Sequence, residues 1–351
     1  MSSYQNIHNH FGLNGTRLTR TDLLDIAHGF IRNGKCHEKS FGLFVLNWLD
    51  RNTKITLQTS GTTGKPKQIC VSKQAMVDSA VATGDFFGLK PKNTALCCLP
   101  LDFIAGKMML VRAFILGLEL DLIAPNSKPL KNTEKKYDFV AMTPMQAKNS
   151  IEKLHQVKNL ILGGSKVSKS LEEQLKQIKT KIYETYASTE TLTHIAVRKI
   201  GENFFKLLPN ISISLDRRDC LVIDIPRISD QKIITNDLVE IISRNEFVWL
   251  GRIDNVVNSG GIKLFPEKIE SRLVDKIPHR FFLGGIPDLV LGEKLVLVIE
   301  SNKYKLPANT FDDLEKYETP KKKFFVPKFI QTVNGKINRK ETLAMLIQDS
   351  F

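Results

Sequence analysis

Between Thr94 and Tyr186 the sequence alternates short β-type runs with longer helix-compatible segments, and no other feature restricts the fold as much. The runs 95–99, 118–123, 139–142, 160–162 and 182–186 are separated by candidate crossover helices at 104–116, 145–155 and 168–178, the last capped by Ser168. Such βαβ units build a parallel sheet covered by helices, so an α/β fold is predicted. Open α/β sheets bind ligands beyond the carboxyl ends of their strands. Two segments stand there, Gly163-Gly164-Ser165 and Ala187-Ser188-Thr189-Glu190.

Past residue 204 the pattern changes to short β runs at 211–215, 221–225, 238–242 and 247–250, which predicts a mostly antiparallel subdomain. A second unit is expected from Gly251 onward: a loop at 258–261, a helix near 266–275, β runs at 281–283 and 295–299, and a second helix near 309–317. The expected division is a large domain over 1–250 and a small α+β domain over 251–351.

The composition, 42% hydrophobic and 25% charged, is that of a globular chain with a sizeable core. The apolar stretches at 115–122 and 295–299 are too short or too interrupted to cross a bilayer, and the opening MSSYQNIHNH has no signal-peptide pattern, so a cytoplasmic protein is expected. The five cysteines show no metal-ligand spacing and read as reduced thiols. A net charge of +14 implies an anionic partner; because the basic residues are scattered, with one dense run at 321–323, small polyanions are expected rather than nucleic acid.

The segment Thr59-Ser60-Gly61-Thr62-Thr63-Gly64-Lys65-Pro66-Lys67 follows a β-type run and alternates hydroxyls, glycines and lysines. Glycines let backbone N–H groups approach phosphate oxygens, hydroxyls add donors and lysines add charge. It is not a Walker A loop, since only two residues separate Gly61 from Gly64 and proline follows Lys65.

This loop resembles the T-S-G-S/T-T-G-x-P-K pattern of the adenylate-forming superfamily, which includes acyl-CoA synthetases, luciferases and peptide-synthetase adenylation domains. The resemblance implies the adenylate-forming fold, a large domain with a parallel sheet plus a small mobile C-terminal domain, with ATP, magnesium and coenzyme A as co-substrates or cofactors. It assigns the β- and γ-phosphates of ATP to Ser60, Gly61, Thr62, Thr63, Gly64 and Lys67. Tyr186-Ala187-Ser188-Thr189-Glu190 is similar to Y-G-x-T-E, implying that Thr189 contacts the adenylate phosphate and Glu190 holds magnesium. Standing alone, Thr-Glu after a strand also reads as a helix cap. Gly163 and Gly164 resemble the turn that packs the adenine or acyl group, and equally fit a plain strand-to-helix turn. Thr235-Asn236-Asp237 resembles T-G-D, implying that Asp237 binds the ribose hydroxyls, with Asn236 tolerating the left-handed backbone of the usual glycine; a simple β-turn is the alternative. Gly251-Arg252-Ile253-Asp254 resembles the block that opens the C-terminal domain, with Arg252 on the ribose and Asp254 as hinge. Asn334-Gly335-Lys336-Ile337-Asn338-Arg339 is similar to N-G-K-x-x-R, making Lys336 the catalytic lysine beside Thr189.

Residues 1–58 before the phosphate loop are few for this family, and compact forms resemble the bacterial o-succinylbenzoate-CoA ligases of menaquinone synthesis. Leu99-Pro100-Leu101-Asp102-Phe103-Ile104-Ala105-Gly106-Lys107 is similar to the L-P-x-F/Y-H-x-x-G block of the acyl pocket, with Phe103 in place of histidine. Lys107 is then a candidate partner for a second substrate carboxylate, or else a lysine whose stem lies along an apolar helix. Arg112, His155 and His194 read as structural. The expected partners are a small carboxylic acid, ATP and coenzyme A, without nucleic acid or a transmembrane segment, and a homo-oligomer is compatible with the sequence. Other aryl- or fatty-acyl-CoA synthetases, carrier-loading enzymes and a non-catalytic nucleotide-binding protein are the rival readings.

Overall fold

The computed structural model describes residues 3–58, 68–188, 190–226, 228–229, 231–331 and 337–348. The expected βαβ alternation is present. Strands Glu119–Leu122, Thr94–Cys97, Tyr137–Met142, Val157–Leu162 and Lys181–Ala187 lie side by side in that order, each parallel to its neighbour. The crossover helix Ile104–Leu116 has the expected bounds and is buried over Met108–Ile115, which explains an apolar run too continuous for a surface helix. The segment expected as one helix at 145–155 is two: Pro144–Asn149, started by a Thr143–Gln146 capping box, and a 3-10 turn Ile151–Gln156. Ser168 caps Lys169–Lys176, its hydroxyl accepting from Leu171 N at 3.2 Å.

Three helices that the sequence does not mark pack near this crossover helix: Lys73–Phe87 lies along it, while Arg20–Asn33 and Cys36–Leu49 pack on each other and join the same core. Phe11 and Trp48 reach the ring of Phe114 at centroid distances of 4.9 and 6.5 Å. Lys73 is fully buried where the chain leaves strand Gln68–Ser72, and it is satisfied by Asp50 at 2.7 Å and the Trp48 carbonyl at 2.9 Å. That ion pair fixes the hairpin Lys54–Gln58/Gln68–Ser72 to the helical layer.

The antiparallel strands expected as a separate subdomain instead continue the main sheet. His194–Lys199 folds back antiparallel on Lys181–Ala187, and Phe205–Leu207, Glu246–Arg252, Ile233–Ser243, Cys220–Asp224 and Ser212–Leu215 follow outward. Thirteen strands of the described residues share one sheet. The reason is the open edge of Lys181–Ala187, whose backbone groups are paired by the next strand in the chain.

The C-terminal region carries its own five-stranded sheet of Val257–Ser259, Ile262–Leu264, Phe281–Asp288, Gly292–Glu300 and Lys322–Val326. Helices Pro266–Leu273 and Arg339–Gln348 pack on it, and its buried clusters share no residue with those of the large sheet. The helix expected near 309–317 is absent; there is only the 3-10 turn Ala308–Phe311. Asn309, Asp312 and Asp313 favour turns over helix interiors, and this outweighs the weak Phe311/Leu314 spacing. No helix of the described residues is long and apolar enough to cross a membrane.

Candidate nucleotide site

Asp237, within strand Ile233–Ser243, stands at the centre of a polar cluster. It is 9% exposed, and its Oδ2 accepts from the Tyr186 phenol at 2.5 Å while Oδ1 accepts from Trp249 Nε1 at 3.2 Å. Arg252, its cross-strand partner, brings Nη1 to 3.9 Å. Burial and the adjoining carboxylate both push the Tyr186 phenol upward, so it stays protonated and donates. A carboxylate has lone pairs beyond those taken by these two donors, which suits two vicinal hydroxyls. Thr235-Asn236-Asp237 is not the alternative β-turn: it lies in strand Ile233–Ser243, where Thr235 Oγ1 accepts from Asp237 N at 3.1 Å. Asn236 does not adopt the left-handed backbone either. Its amide donates to both Asp254 oxygens at 3.2 and 3.3 Å, while Arg252 Nη2 holds Asp254 at 2.8 Å. The expected ribose ligands and the expected hinge residue are thus in direct contact.

The turn at Gly163-Gly164-Ser165 borders the same cluster. A Cβ on Gly163 would lie 2.9 Å from Thr185 Oγ1 and displace that hydroxyl, and Gly164 has φ +87°, a backbone conformation that favours glycine. Just beyond, Lys166 places its ammonium 5.4 Å from the Trp249 ring centroid. After Tyr186 the chain forms a tight turn in which Ser188 and Thr191 exchange hydrogen bonds, Thr191 Oγ1 accepting from Ser188 N at 2.9 Å. Strand His194–Lys199 follows it, so the helix-cap alternative for Thr-Glu fails. Glu190 is exposed in this turn and its charge reaches Tyr186. No cluster of three or more acidic, histidine or cysteine side chains stands ready to hold a metal among the described residues. A single open carboxylate fits magnesium carried in on a triphosphate, which supplies most of the ligands itself.

On the acyl side, Phe103 precedes the helix Ile104–Leu116 and is 52% exposed. Lys107, in the first turn, donates to the Asp102 carbonyl at 2.9 Å, and partial burial lowers its pKa. The buried cation of this helix is Arg112, read from sequence as structural. It has no carboxylate partner among the described residues. Its Nη2 faces His194 Nδ1 at 3.4 Å, Nη1 lies 3.7 Å from Met109 Sδ, and the guanidinium sits 5.8 Å from the Phe139 centroid. Burial lowers its pKa to about 10, so it remains a cation, and Arg112 Nε and His194 Nε2 are buried without partners.

A family described as AMP-binding enzyme matches residues 47–226, more than half of the chain, and the match contains the phosphate-loop segment and the Tyr186 turn. The chain belongs to the AMP-binding enzyme family. A solved relative, an acyl-CoA synthetase (AMP-forming)/AMP-acid ligase II-like protein from Dyadobacter fermentans, is 34% identical, covering 92% of this chain and 98% of that one at a TM-score of 0.62. A 2-succinylbenzoate–CoA ligase of Listeria monocytogenes is 26% identical over 332 residues, 83% of this chain and 70% of the relative. The O-succinylbenzoate coenzyme A synthetase of Bacillus subtilis, solved with ATP and magnesium, shares the fold at a TM-score of 0.71 and 19% identity, covering 85% of this chain and 74% of that one.

In this AMP-binding enzyme the structure brings together Tyr186, Glu190, Asp237, Arg252 and Asp254, while Gly163 lies beside Thr185, the neighbour of Tyr186, and Gly164 follows it. Phe103 and Lys107 stand apart at the head of the crossover helix. Ser60, Gly61, Thr62, Thr63, Gly64, Lys67, Thr189 and Lys336 lie outside the described residues. Sequence reasoning missed Trp249 and Lys166. The signal for Trp249 was its place two residues from Phe247 in an alternating strand that ends at Arg252. A cavity of about 360 Å³ opens at the amino ends of the parallel strands among Thr94, Asp138, Val157 and Lys181, the opposite edge from this cluster.

Proposed function

We propose that this chain is an ATP-dependent acid–thiol ligase that adenylates o-succinylbenzoate and transfers the acyl group to coenzyme A, a step of menaquinone synthesis. The observation that carries adenylation is the Asp237 carboxylate, buried among Tyr186, Trp249 and Arg252. In this reading Asp237 and Arg252 bind the ribose, while Tyr186, Gly163 and Gly164 border the base. Ser60, Gly61, Thr62, Thr63, Gly64 and Lys67 hold the β- and γ-phosphates. Glu190 would hold magnesium, which spreads the charge of the triphosphate. A carboxylate oxygen of the acid attacks the α-phosphorus as Thr189 contacts that phosphate, and pyrophosphate leaves. Lys336 offsets the repulsion between the two anions as they meet. Residues 251–351 then turn about Asp254 relative to residues 1–250, and the thiol displaces AMP from the acyl carbonyl.

For the acid, Arg112 supports a substrate with a second carboxylate, because a buried cation without a counter-ion is costly and a dicarboxylate supplies one. A fatty acid would leave it unpaired. The Listeria relative's name favours the same acid. Phe103 and Lys107 are assigned to the acyl side in this reading.

The test is pyrophosphate release with Mg-ATP and o-succinylbenzoate, benzoate or a fatty acid, followed by mass detection of the thioester after coenzyme A is added. We expect o-succinylbenzoate to be preferred, and Lys336→Ala to lose on the order of a hundredfold or more in rate. Preference for the fatty acid would overturn the substrate, and absence of release with every acid would overturn the adenylation reading.

A further inference from the structure

The cavity of about 360 Å³ at the amino ends of the parallel strands is framed by four lysines, Lys136, Lys158, Lys179 and Lys181. Its size is that of a small-molecule pocket. Against these cations the lining sets one carboxylate, Asp138, which is already engaged. Its Oδ2 accepts from Thr94 N at 3.0 Å and from the Thr94 hydroxyl at 3.2 Å. Lys158 lies 3.7 Å from its other oxygen, too far for a hydrogen bond. Lys136, Lys179 and Lys181 have no carboxylate partner among the described residues. The pocket is therefore strongly positive, and its cations are available to an anion.

Gln156, in the same wall, adds a second demand. It is 4% exposed, and its Nε2 donates to Glu134 Oε2 at 3.2 Å. An ionised carboxylate only accepts, so the amide cannot turn round, and Oε1 is the atom that faces away from Glu134. That oxygen is buried without a partner among the described residues. The nearby Thr180 hydroxyl cannot satisfy it, being given to the Leu154 carbonyl at 2.6 Å. A buried acceptor left unmade is costly, and a ligand hydroxyl would supply its donor.

Lys136, Lys158 and Lys181 stand at the starts of three successive strands, Tyr137–Met142, Val157–Leu162 and Lys181–Ala187. Neighbouring strands lie about 4.8 Å apart, so two or more of these flexible ammonium groups can close on one phosphate. A phosphate monoester carries nearly two negative charges and three acceptor oxygens, more than a carboxylate offers to several lysines. Tyr186 of the nucleotide cluster lies five residues from Lys181 along the same strand, roughly 16 Å at about 3.3 Å per residue. One small ligand cannot occupy both places.

We propose that this cavity binds a small hydroxylated phosphate ester, its phosphate held by Lys136, Lys158, Lys179 and Lys181 and a hydroxyl donating to Gln156 Oε1, at a site separate from the nucleotide cluster.

Calorimetric titration of the full-length protein at about 0.05 M salt tests this with glucose 6-phosphate, using glucose and inorganic phosphate as controls. Glucose 6-phosphate is expected to bind with a Kd of about 0.1–1 mM, at least about tenfold tighter than either control. Lys158 and Lys181 are exposed, so the double variant Lys158→Gln/Lys181→Gln should fold, and it should weaken glucose 6-phosphate and inorganic phosphate alike by about tenfold or more. Gln156→Met should weaken the ester several-fold and leave inorganic phosphate unchanged, since only the hydroxyl contact is lost. Asp237→Ala should leave ester binding within about twofold, because that residue belongs to the other site. Binding no tighter than that of glucose, or unchanged in the double lysine variant, would overturn the site. Loss in Asp237→Ala would place the ester at the nucleotide cluster and overturn it equally. Inorganic phosphate binding as tightly as the ester would overturn the hydroxyl contact and with it the ligand class.

Discussion

His194 and Arg112 face each other at 3.4 Å inside the large sheet, and the histidine cannot share a proton with a neighbour that is already a cation. Burial, and then the Arg112 charge, hold its pKa well below the ordinary 6.5. The unfolded chain binds a proton at this position below pH 6.5 and the folded chain does not. His194 therefore costs no stability above pH 6.5, and stability falls as pH drops below that value, by at most about 1.4 kcal/mol per pH unit. Urea unfolding at pH 7.5 and 5.5 should show this slope, and His194→Gln should flatten it; an unchanged slope would assign the loss to other groups. At this scale the motifs stand out in the sequence because their chemistry is local: a hydroxyl, a glycine or a carboxylate at fixed spacing. The Arg112–His194 pair does not, since its members lie 82 positions apart and neither sequence neighbourhood marks the other.

Among the elements, the helix Lys169–Lys176 is bound to the sheet by a charge network rather than by apolar packing alone. Arg198 on strand His194–Lys199 holds Glu172 of that helix at 3.0 Å and Glu184 of strand Lys181–Ala187 at 2.7 Å, and Glu184 also accepts from Val167 N at 2.9 Å. Arg198→Met would leave Glu184, 7% exposed, without its cation. The expected cost is about 3–5 kcal/mol of unfolding free energy, read as a lower urea midpoint at unchanged slope. A loss below about 1 kcal/mol would mean that the network is solvated in solution. Element type was readable wherever apolar spacing was dense, as in Ile104–Leu116. It failed at 309–317, where two apolar residues suggested a helix and turn-forming side chains decided otherwise.

Over the whole molecule, the net charge of +14 favours the approach of polyanions through long-range attraction. If ATP is the substrate, kcat/KM for ATP should fall several-fold between about 0.05 and 0.5 M salt while kcat changes little, because screening acts on encounter more than on bound contacts. A flat salt profile would show that the excess charge plays no part in capture. The sequence alone determined the parallel α/β core, since periodicity is a property of short segments. Only the tertiary structure decided that the antiparallel strands extend the same sheet, that Asn236 holds Asp254 from within a strand, and that Trp249 joins Tyr186 on Asp237. Each of those depends on which distant backbone edge a strand finds to pair with, and that choice is made by the packing of the whole chain.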